Sequence, residues 1–335
     1  MSRVVLVTGG AGYVGSHACK ALARAGYRPV TYDSLATGHD WAVRWGPLEV
    51  GDIRDETRLV DVMRRYRPEA VLHFAASAYV GESVTHPAEY YSNNVVGSLT
   101  LLNAMRRSDI GRLVFSSTCA VYGVPKAMPI AEDAPTDPIN PYGATKQAVE
   151  RMLADFSEAY GLRSIALRYF NAAGADPELE TGEDHDPETH LIPIVLEAAA
   201  GIRPFVTIHG TDHPTPDGTC VRDYTHVSDL ATAHVLALAR LGEGGGAPAI
   251  NLGNGIGVSV AEVVEAARTV TGRPIAVVAG PRRAGDPPTL VADPHLARSE
   301  LGWRAGMPSI DAIIRTAWEW HQSEIVAPRA RRAAV

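Results

Sequence analysis

The chain has 335 residues, 46% hydrophobic and 21% charged, a balance typical of a folded globular protein with ample core. The net charge is −7, and the one basic block that stands out is RARR at 329–332, which argues against whole-molecule affinity for nucleic acid. Three widely spaced cysteines, Cys19, Cys119 and Cys220, form no CxxC and argue against a disulfide framework or a structural zinc site.

The elements alternate from the start. RVVLVT (3–8) reads as a strand and VGSHACKALARAG as a helix. YRPVTYD (27–33) and LEVGDI (48–53) are further strands, and DETRLVDVMRRY is a polar helix. EAVLHFA (69–75) precedes a long amphipathic stretch reaching about Ser108. RLVFSS (112–117) precedes a helix that opens at PYGATK, and RSIALRY (163–169) closes the series. This alternation predicts an α/β fold, a Rossmann-type doubly wound parallel sheet with helices on both faces.

After Asn171 the texture changes. Residues 174–189 are rich in Asp, Glu, Pro and Gly and read as loop. HLIPIVLEAAAG, SVAEVVEAARTV and SIDAIIRTAWEW are helical patterns, and FVTIHG, AINLG and IAVVA are strands, so a smaller C-terminal α/β part is expected. DYTHVSDLATAHVLALA is placed back on the first sheet. The expected division is residues 1–171 with about 224–253 for cofactor binding, 172–223 with about 254–325 for substrate, and a tail at 326–335. Met1 leads almost directly into VVLVTGG, and no apolar stretch reaches membrane length, so no signal peptide, no membrane partner and a cytoplasmic location are expected.

Two motifs carry chemistry. TGGAGYVGS (8–16) follows the first strand and opens a helix, with Gly9, Gly12 and Gly15 in G-x-x-G-x-x-G spacing. Glycines there allow a tight turn and close approach of backbone amides to a pyrophosphate at a helix N-terminus. Asp33, ending the second strand, suits a ribose hydroxyl and repels a 2′-phosphate, favouring NAD over NADP. The second motif is Tyr142 and Lys146, four residues apart on one helix face. Alone, the pair reads as a solvated helix surface. Downstream of an NAD fingerprint, it reads as a phenol whose pKa a buried ammonium lowers, able to exchange a proton with an alcohol. Ser116, Ser117 and Thr118 add hydroxyls at the strand end where open α/β sheets bind ligands, and Thr118 is placed to bridge a substrate hydroxyl and Tyr142.

Together TGGAGYVGSH, GDIRD, HFAAS, VGES, YYSNNVVG, FSSTCAVYG, PYGATK, LRYFNAAGA, PDGTCVRDYTHV and NLGNG run in one family's order along nearly the whole chain. The sequence resembles the extended short-chain dehydrogenases/reductases, and within them the UDP-glucose 4-epimerases. The resemblance implies a bound NAD, reversible C4 epimerisation of UDP-glucose and UDP-galactose through a 4-keto sugar, and a homodimer pairing the helix near 94–107 with the one bearing Tyr142. It implies Tyr142 as base, Lys146 as its tuner and a ribose contact, and Thr118 as partner for the hydroxyl. Gly9, Gly12, Tyr13, Val14, Gly15, Asp33, Asp52, Ile53, Phe74, Ala75, Ala76, Asn93 and Phe170 would line NAD. Asn171, His190, Leu191, His209, Arg222, Arg283, Asp286 and Leu290 would contact the UDP-sugar.

Departures and rivals remain. Ala78 replaces a Lys found in some relatives, His209 an aromatic and His190 an Asn, while Leu290 stands at a gate beside the sugar. Other UDP sugars (N-acetylglucosamine, xylose/arabinose, glucuronate) are alternative substrates. Sugar-nucleotide dehydratases carry Asp-Glu after the strand-end Thr, where this chain has Cys119-Ala120, which disfavours elimination. A non-catalytic NAD-binding protein would need no Tyr–Lys pair. GEDHDPETH (182–190) holds His185, Asp186, Glu188 and His190 but lacks compact zinc spacing, so no metal is expected.

Overall fold

The computed structural model describes residues 3–244, 247–283 and 286–323. β1 (Arg3–Thr8) leads through a glycine turn into α1 (Tyr13–Arg24), followed by β2 (Tyr27–Asp33), β3 (Leu48–Val50) and α2 (Glu56–Tyr66). β4 (Ala70–His73) precedes α3 (Val80–Thr85), α4 (Pro87–Tyr90), a π-turn at Tyr91–Val96 and α5 (Gly97–Arg107). Next come β5 (Arg112–Thr118), α6 (Pro141–Tyr160), β6 (Arg163–Tyr169) and β7 (Asn171–Ala173). The remainder runs α7 (Leu191–Ala199), β8 (Val206–His209), β9 (Val221–His226), α8 (Val227–Gly242), β10 (Ala247–Leu252) and β11 (Gly257–Ser259). It ends with α9 (Val260–Thr271), β12 (Val277–Gly280), β13 (Thr289–Leu290), α10 (His295–Leu301) and α11 (Ile310–His321).

Seven strands form one parallel sheet in the order β10-β6-β5-β4-β1-β2-β3. Strand order reverses at β1, so a crevice opens between the ends of β1 and β4. The central strands carry apolar runs (Val4–Val7, Ala70–Leu72 and Leu113–Phe115) because alternate residues enter two different cores. Val5, Val7, Ala70, Leu72, Val114, Ile165 and Leu167 pack on one face with residues of α1 and α8, whereas Leu6, Val71, Leu113, Phe115 and Ala166 pack on the other with α2, α5 and α6.

A smaller sheet joins β11, β9 and β13, with β7 also paired to β9, and β8 pairs β12. α7, α9 and α11 share its core through Val195, Leu196, Val263, Val264, Ile313 and Ile314.

Several expected bounds differ from those of the structure. Residues 224–226 and Asn171 lie in β9 and β7 of the smaller sheet, so the chain returns to the large sheet only at α8 and β10. α10 and Trp303 pack with α8 on the large sheet, held by Trp303 Nε1–Asp229 O (2.9 Å) and by Gly306 and Met307 amides donating to the Asp229 carboxylate. The expected tail, 326–335, lies outside the described residues. The amphipathic stretch before Ser108 is several pieces, because Pro87 starts a new helix and a π-turn shifts the register at Tyr91–Val96. That shift directs Asn94 to Ser77 (amide donated to Asn94 Oδ1, 2.8 Å) and to the Thr145 hydroxyl (3.1 Å) on α6. The LEVGDI strand stops at Val50, where Gly51 lies against the Tyr32 ring and any Cβ would sit 2.4 Å from its hydroxyl.

Candidate active site

Strand register brings the motifs to one edge. Thr8 pairs with Tyr32 and His73, His73 with Phe115, and Thr118 with Tyr169. The glycine turn, Asp33, Phe74–Ala76, Ser116–Thr118 and Phe170 therefore all lie at or just beyond the C-terminal ends of adjacent parallel strands, where such sheets take ligands.

α6 is built to present Tyr142 and Lys146. Asn140 caps it, its side chain accepting the Gly143 amide at 2.8 Å, and Pro141 fills the first turn. Tyr142 is half-buried and Lys146 only 3% exposed. The Lys146 ammonium donates to the Ser116 carbonyl (2.8 Å) and lies 5.9 Å from the Tyr142 ring centre. Burial lowers Lys146 to about 7, against the pull of Glu150. Burial pushes the Tyr142 phenol up to about 12, with the Thr118 hydroxyl pulling it down. The lowering expected from Lys146 is not seen: desolvation dominates, and Thr118 is the group that opposes it.

The three hydroxyls of β5 have separate partners. Thr118 faces Tyr142 and also accepts the Ala120 amide at 3.1 Å. Ser117, on the opposite strand face, donates to Glu150 at 2.5 Å. Ser116 acts on Tyr169 and contributes its carbonyl to Lys146.

Behind the pair lies a buried network absent from the sequence expectations. Arg168 grips both Glu150 oxygens (3.0 and 2.6 Å) and the Tyr122 hydroxyl (2.8 Å), which donates to Asn251 (2.7 Å). Glu150 stands one helical turn beyond Lys146 in the sequence. Its partner Arg168 arrives from β6, which no local pattern announces.

In the glycine turn, Gly9 has φ +75°, and a Cβ there would sit 2.5 Å from the Ala75 amide nitrogen. A Cβ on Gly15 would sit 2.1 Å from the Gly9 carbonyl oxygen. Gly12 begins α1 with no side-chain cap, which leaves first-turn amides available to an anion. Asp33 accepts the Ala11 amide (3.0 Å) and the Leu35 amide (2.9 Å). Burial raises its pKa against those amides. These features fit a dinucleotide: a turn too tight for side chains, open amides and an acid at the β2 end.

The other expected cofactor positions behave variously. Val14 packs against the α1–α8 core, and the Tyr13 hydroxyl donates to the Gly174 carbonyl at 2.5 Å. Asp52 turns its carboxylate to Arg54 (2.5 Å), which holds it below the ordinary carboxylate range. The Ile53 side chain is in the core under Gly97. Phe74 packs on His234 (4.6 Å between ring centres), the Ala75 amide donates to Thr8 O, and Ala76 is half-buried. The Asn93 amide donates to the Ser77 hydroxyl at 3.2 Å.

On the substrate side, Arg222 on β9 is paired with Asp286, bringing two expected contacts together. Leu290 pairs beside Arg222 in β13 register and packs with Phe170, Cys119 and Tyr122. Asn171 opens β7, Leu191 starts α7 just after His190, His209 ends β8, and Arg283 is exposed. Cys119, in the place of a dehydratase acid, is buried and raised to about 12. All three cysteines are free and buried.

A parallel sheet whose ends hold a dinucleotide turn beside a Tyr–Lys–Thr group defines a nicotinamide-dependent class of enzyme, and the chain belongs to the NAD dependent epimerase/dehydratase family, which matches residues 5–253. Among its relatives is the UDP-glucose 4-epimerase of Rhizobium leguminosarum bv. trifolii, 53% identical over 95% of this chain and 97% of the relative. A crystal structure of the Brucella ovis UDP-glucose 4-epimerase in complex with NAD has a TM-score of 0.93 at 56% identity, covering 95% of this chain and 98% of that one. The Stenotrophomonas maltophila enzyme, solved with bound NAD and formylated UDP-arabinopyranose, has a TM-score of 0.93 at 41% identity, covering 99% and 100%.

Proposed function

We propose that this protein interconverts UDP-glucose and UDP-galactose by NAD-dependent C4 epimerisation through a 4-keto sugar. The observation that carries it is the meeting of Tyr142, Lys146 and Thr118 at the sheet edge that also holds the glycine turn. NAD, when bound, supplies a reversible acceptor for the C4 hydride. Gly9, Gly12, Tyr13, Val14, Gly15, Asp33 and the backbone around Asp52–Ile53 would hold it, with Phe74, Ala75, Ala76, Asn93 and Phe170 along its length.

Tyr142 takes the C4 hydroxyl proton and later returns it, while Thr118 keeps that hydroxyl aligned. A buried phenol needs positive charge nearby to do this, and protonated Lys146 supplies it. Anchoring falls to the UDP half, so the ketosugar is free to present either face. Arg222 and Arg283 suit the diphosphate, Asp286 the ribose, Asn171, His190, Leu191 and His209 the nucleotide, and Leu290 borders the sugar. Elimination is disfavoured because a Cys119 thiol at about 12 is too weak an acid to protonate a leaving hydroxyl.

The large sheet with α8 and β10 forms the NAD part, and the smaller sheets form the UDP-sugar part. The protein acts in the cytoplasm as a homodimer joined through α5 and α6. Exposed Leu99 on α5, Tyr160 at the end of α6, and Tyr91 and Val96 in the turn leading into α5 supply apolar surface that supports the pairing. No described helix is long and apolar enough to cross a membrane.

Incubating purified protein with UDP-galactose and quantifying UDP-glucose tests the reading. Absence of turnover in NAD-loaded protein would remove it. Parallel reactions with UDP-N-acetylglucosamine, UDP-xylose and UDP-glucuronate set the sugar range, and sedimentation as a monomer at micromolar concentration would refute the dimer.

A further inference from the structure

The acidic segment between β7 and α7 gathers Glu183, His185, Glu188 and His190, whose ligating atoms all lie within 4.8 Å of one another. Sequence spacing alone gave no reason to expect this, because the compactness comes from the path of the loop. His185 Nδ1 and His190 Nδ1 each lie 3.0 Å from Glu183. His190 Nδ1 is also 2.9 Å from Glu188 Oε1, and His185 Nδ1 is 3.9 Å from Glu188 Oε2. A tetrahedral ion with ligands at about 2.0–2.1 Å requires ligand atoms about 3.3 Å apart, which these separations bracket.

The hydrogen-bond count points the same way. His190 Nδ1 bears at most one proton but faces two carboxylate oxygens, at 2.9 and 3.0 Å. Glu183 Oε1 in turn faces two ring nitrogens. One cation among these groups would remove both conflicts, at His190 Nδ1 and at Glu183 Oε1.

The side chains are also braced from outside. Glu188 Oε1 accepts the Thr189 and His190 amides, each at 2.7 Å. Trp320 Nε1 donates to the Glu183 carbonyl at 2.9 Å, and the rings of Tyr13 and Tyr79 flank His185 at 6.2 and 5.9 Å. Such outer contacts are how metal ligands are oriented. The neighbouring acidic group, Asp176, Glu178 and Glu180, differs: Lys20 sits among all three at 2.5, 2.9 and 2.7 Å and already serves as their cation.

We propose that Glu183, His185, Glu188 and His190 form a structural zinc site that pins the segment 174–190 between the glycine turn and α7. Two nitrogens and two carboxylate oxygens in a compact set suit zinc, and magnesium or calcium would want oxygen ligands throughout. The ion takes no part in the hydride chemistry. It holds the strap that Tyr13 meets at Gly174 and that ends where Leu191 starts α7.

The test uses untagged full-length protein, stripped with a chelator, reloaded with zinc chloride and passed through a desalting column before elemental analysis. The result expected is about one zinc per chain. The Tm of stripped protein should rise on adding zinc and stay unchanged with equimolar magnesium. Glu188→Gln and His185→Gln should each weaken zinc binding at least about tenfold, read by competition with a chromogenic chelator. Zinc below about one-tenth per chain in reloaded wild type, or both variants binding zinc as tightly as wild type, would overturn the site. The wild-type zinc content and Tm decide the matter even where a variant fails to fold.

Discussion

Lys146 and Glu150 stand one turn apart on α6, and the Glu150 carboxylate supports a buried ammonium that desolvation has brought down to about 7. The same carboxylate is gripped by Arg168 and receives the Ser117 hydroxyl. Glu150 therefore links the charge beside Tyr142 to the buried network of β5 and β6.

Glu150→Gln should act twice. Leaving Arg168 buried without its counter-charge should cost about 3–5 kcal/mol, read as a lower urea midpoint. Losing the carboxylate should lower Lys146 further, so the alkaline fall of kcat should move to lower pH. An alkaline limb in the wild-type position would show that Glu150 has no hold on Lys146.

Tyr142→Phe removes only the hydroxyl. Turnover should fall by about 10²–10⁴-fold while bound NAD, measured after denaturing the purified protein, stays at the wild-type level. Near-normal turnover would take the proton step away from Tyr142. Thr118→Val should also slow turnover, and Thr118→Ser should restore most of it, because only the hydroxyl is needed for Tyr142 and the Ala120 amide.

Gly9→Ala puts a Cβ 2.5 Å from the Ala75 nitrogen at a backbone angle of +75°. Loss of bound NAD and a lower Tm are expected. A variant that purifies with a full complement of NAD would contradict this geometry of the turn.

Acid stability follows from buried histidines. Burial lowers His17, His226 and His234 to about 4 and His73 to about 3, from an ordinary value of 6.5. The unfolded chain then binds more protons than the folded one between pH 6.5 and those values. Their contribution is complete above pH 6.5 and is lost as pH falls toward 4. The urea midpoint should drop steadily over that range at constant ionic strength, and a flat midpoint would mean these rings are accessible to protons in the fold.

Local patterns were enough to place β1, β2 and β6 residue for residue, because each is a short stretch rich in β-branched and aromatic residues set between helical patterns. The placement of Tyr142 and Lys146 on one helix follows from their four-residue spacing, and that of the glycine turn from its position directly after the first strand. Features that depend on distant segments were not. Arg168 meets Glu150 across an element boundary, and Asn94 reaches Ser77 only because a π-turn shifts the helix. The Glu183–His190 group assembles through a loop path that no periodicity describes. Desolvation was equally hidden: the spacing of Tyr142 and Lys146 suggests a lowered phenol, whereas burial raises it.

The most direct measurement of the central claim follows the C4 hydrogen itself. UDP-galactose carrying deuterium at C4 is incubated with the purified protein in ordinary water, and the UDP-glucose formed is examined by NMR and mass spectrometry. The account predicts that UDP-glucose forms and keeps its deuterium at C4, because the hydride leaves and returns within one site. Product with the label washed out into solvent, or no product from NAD-loaded protein, would contradict it.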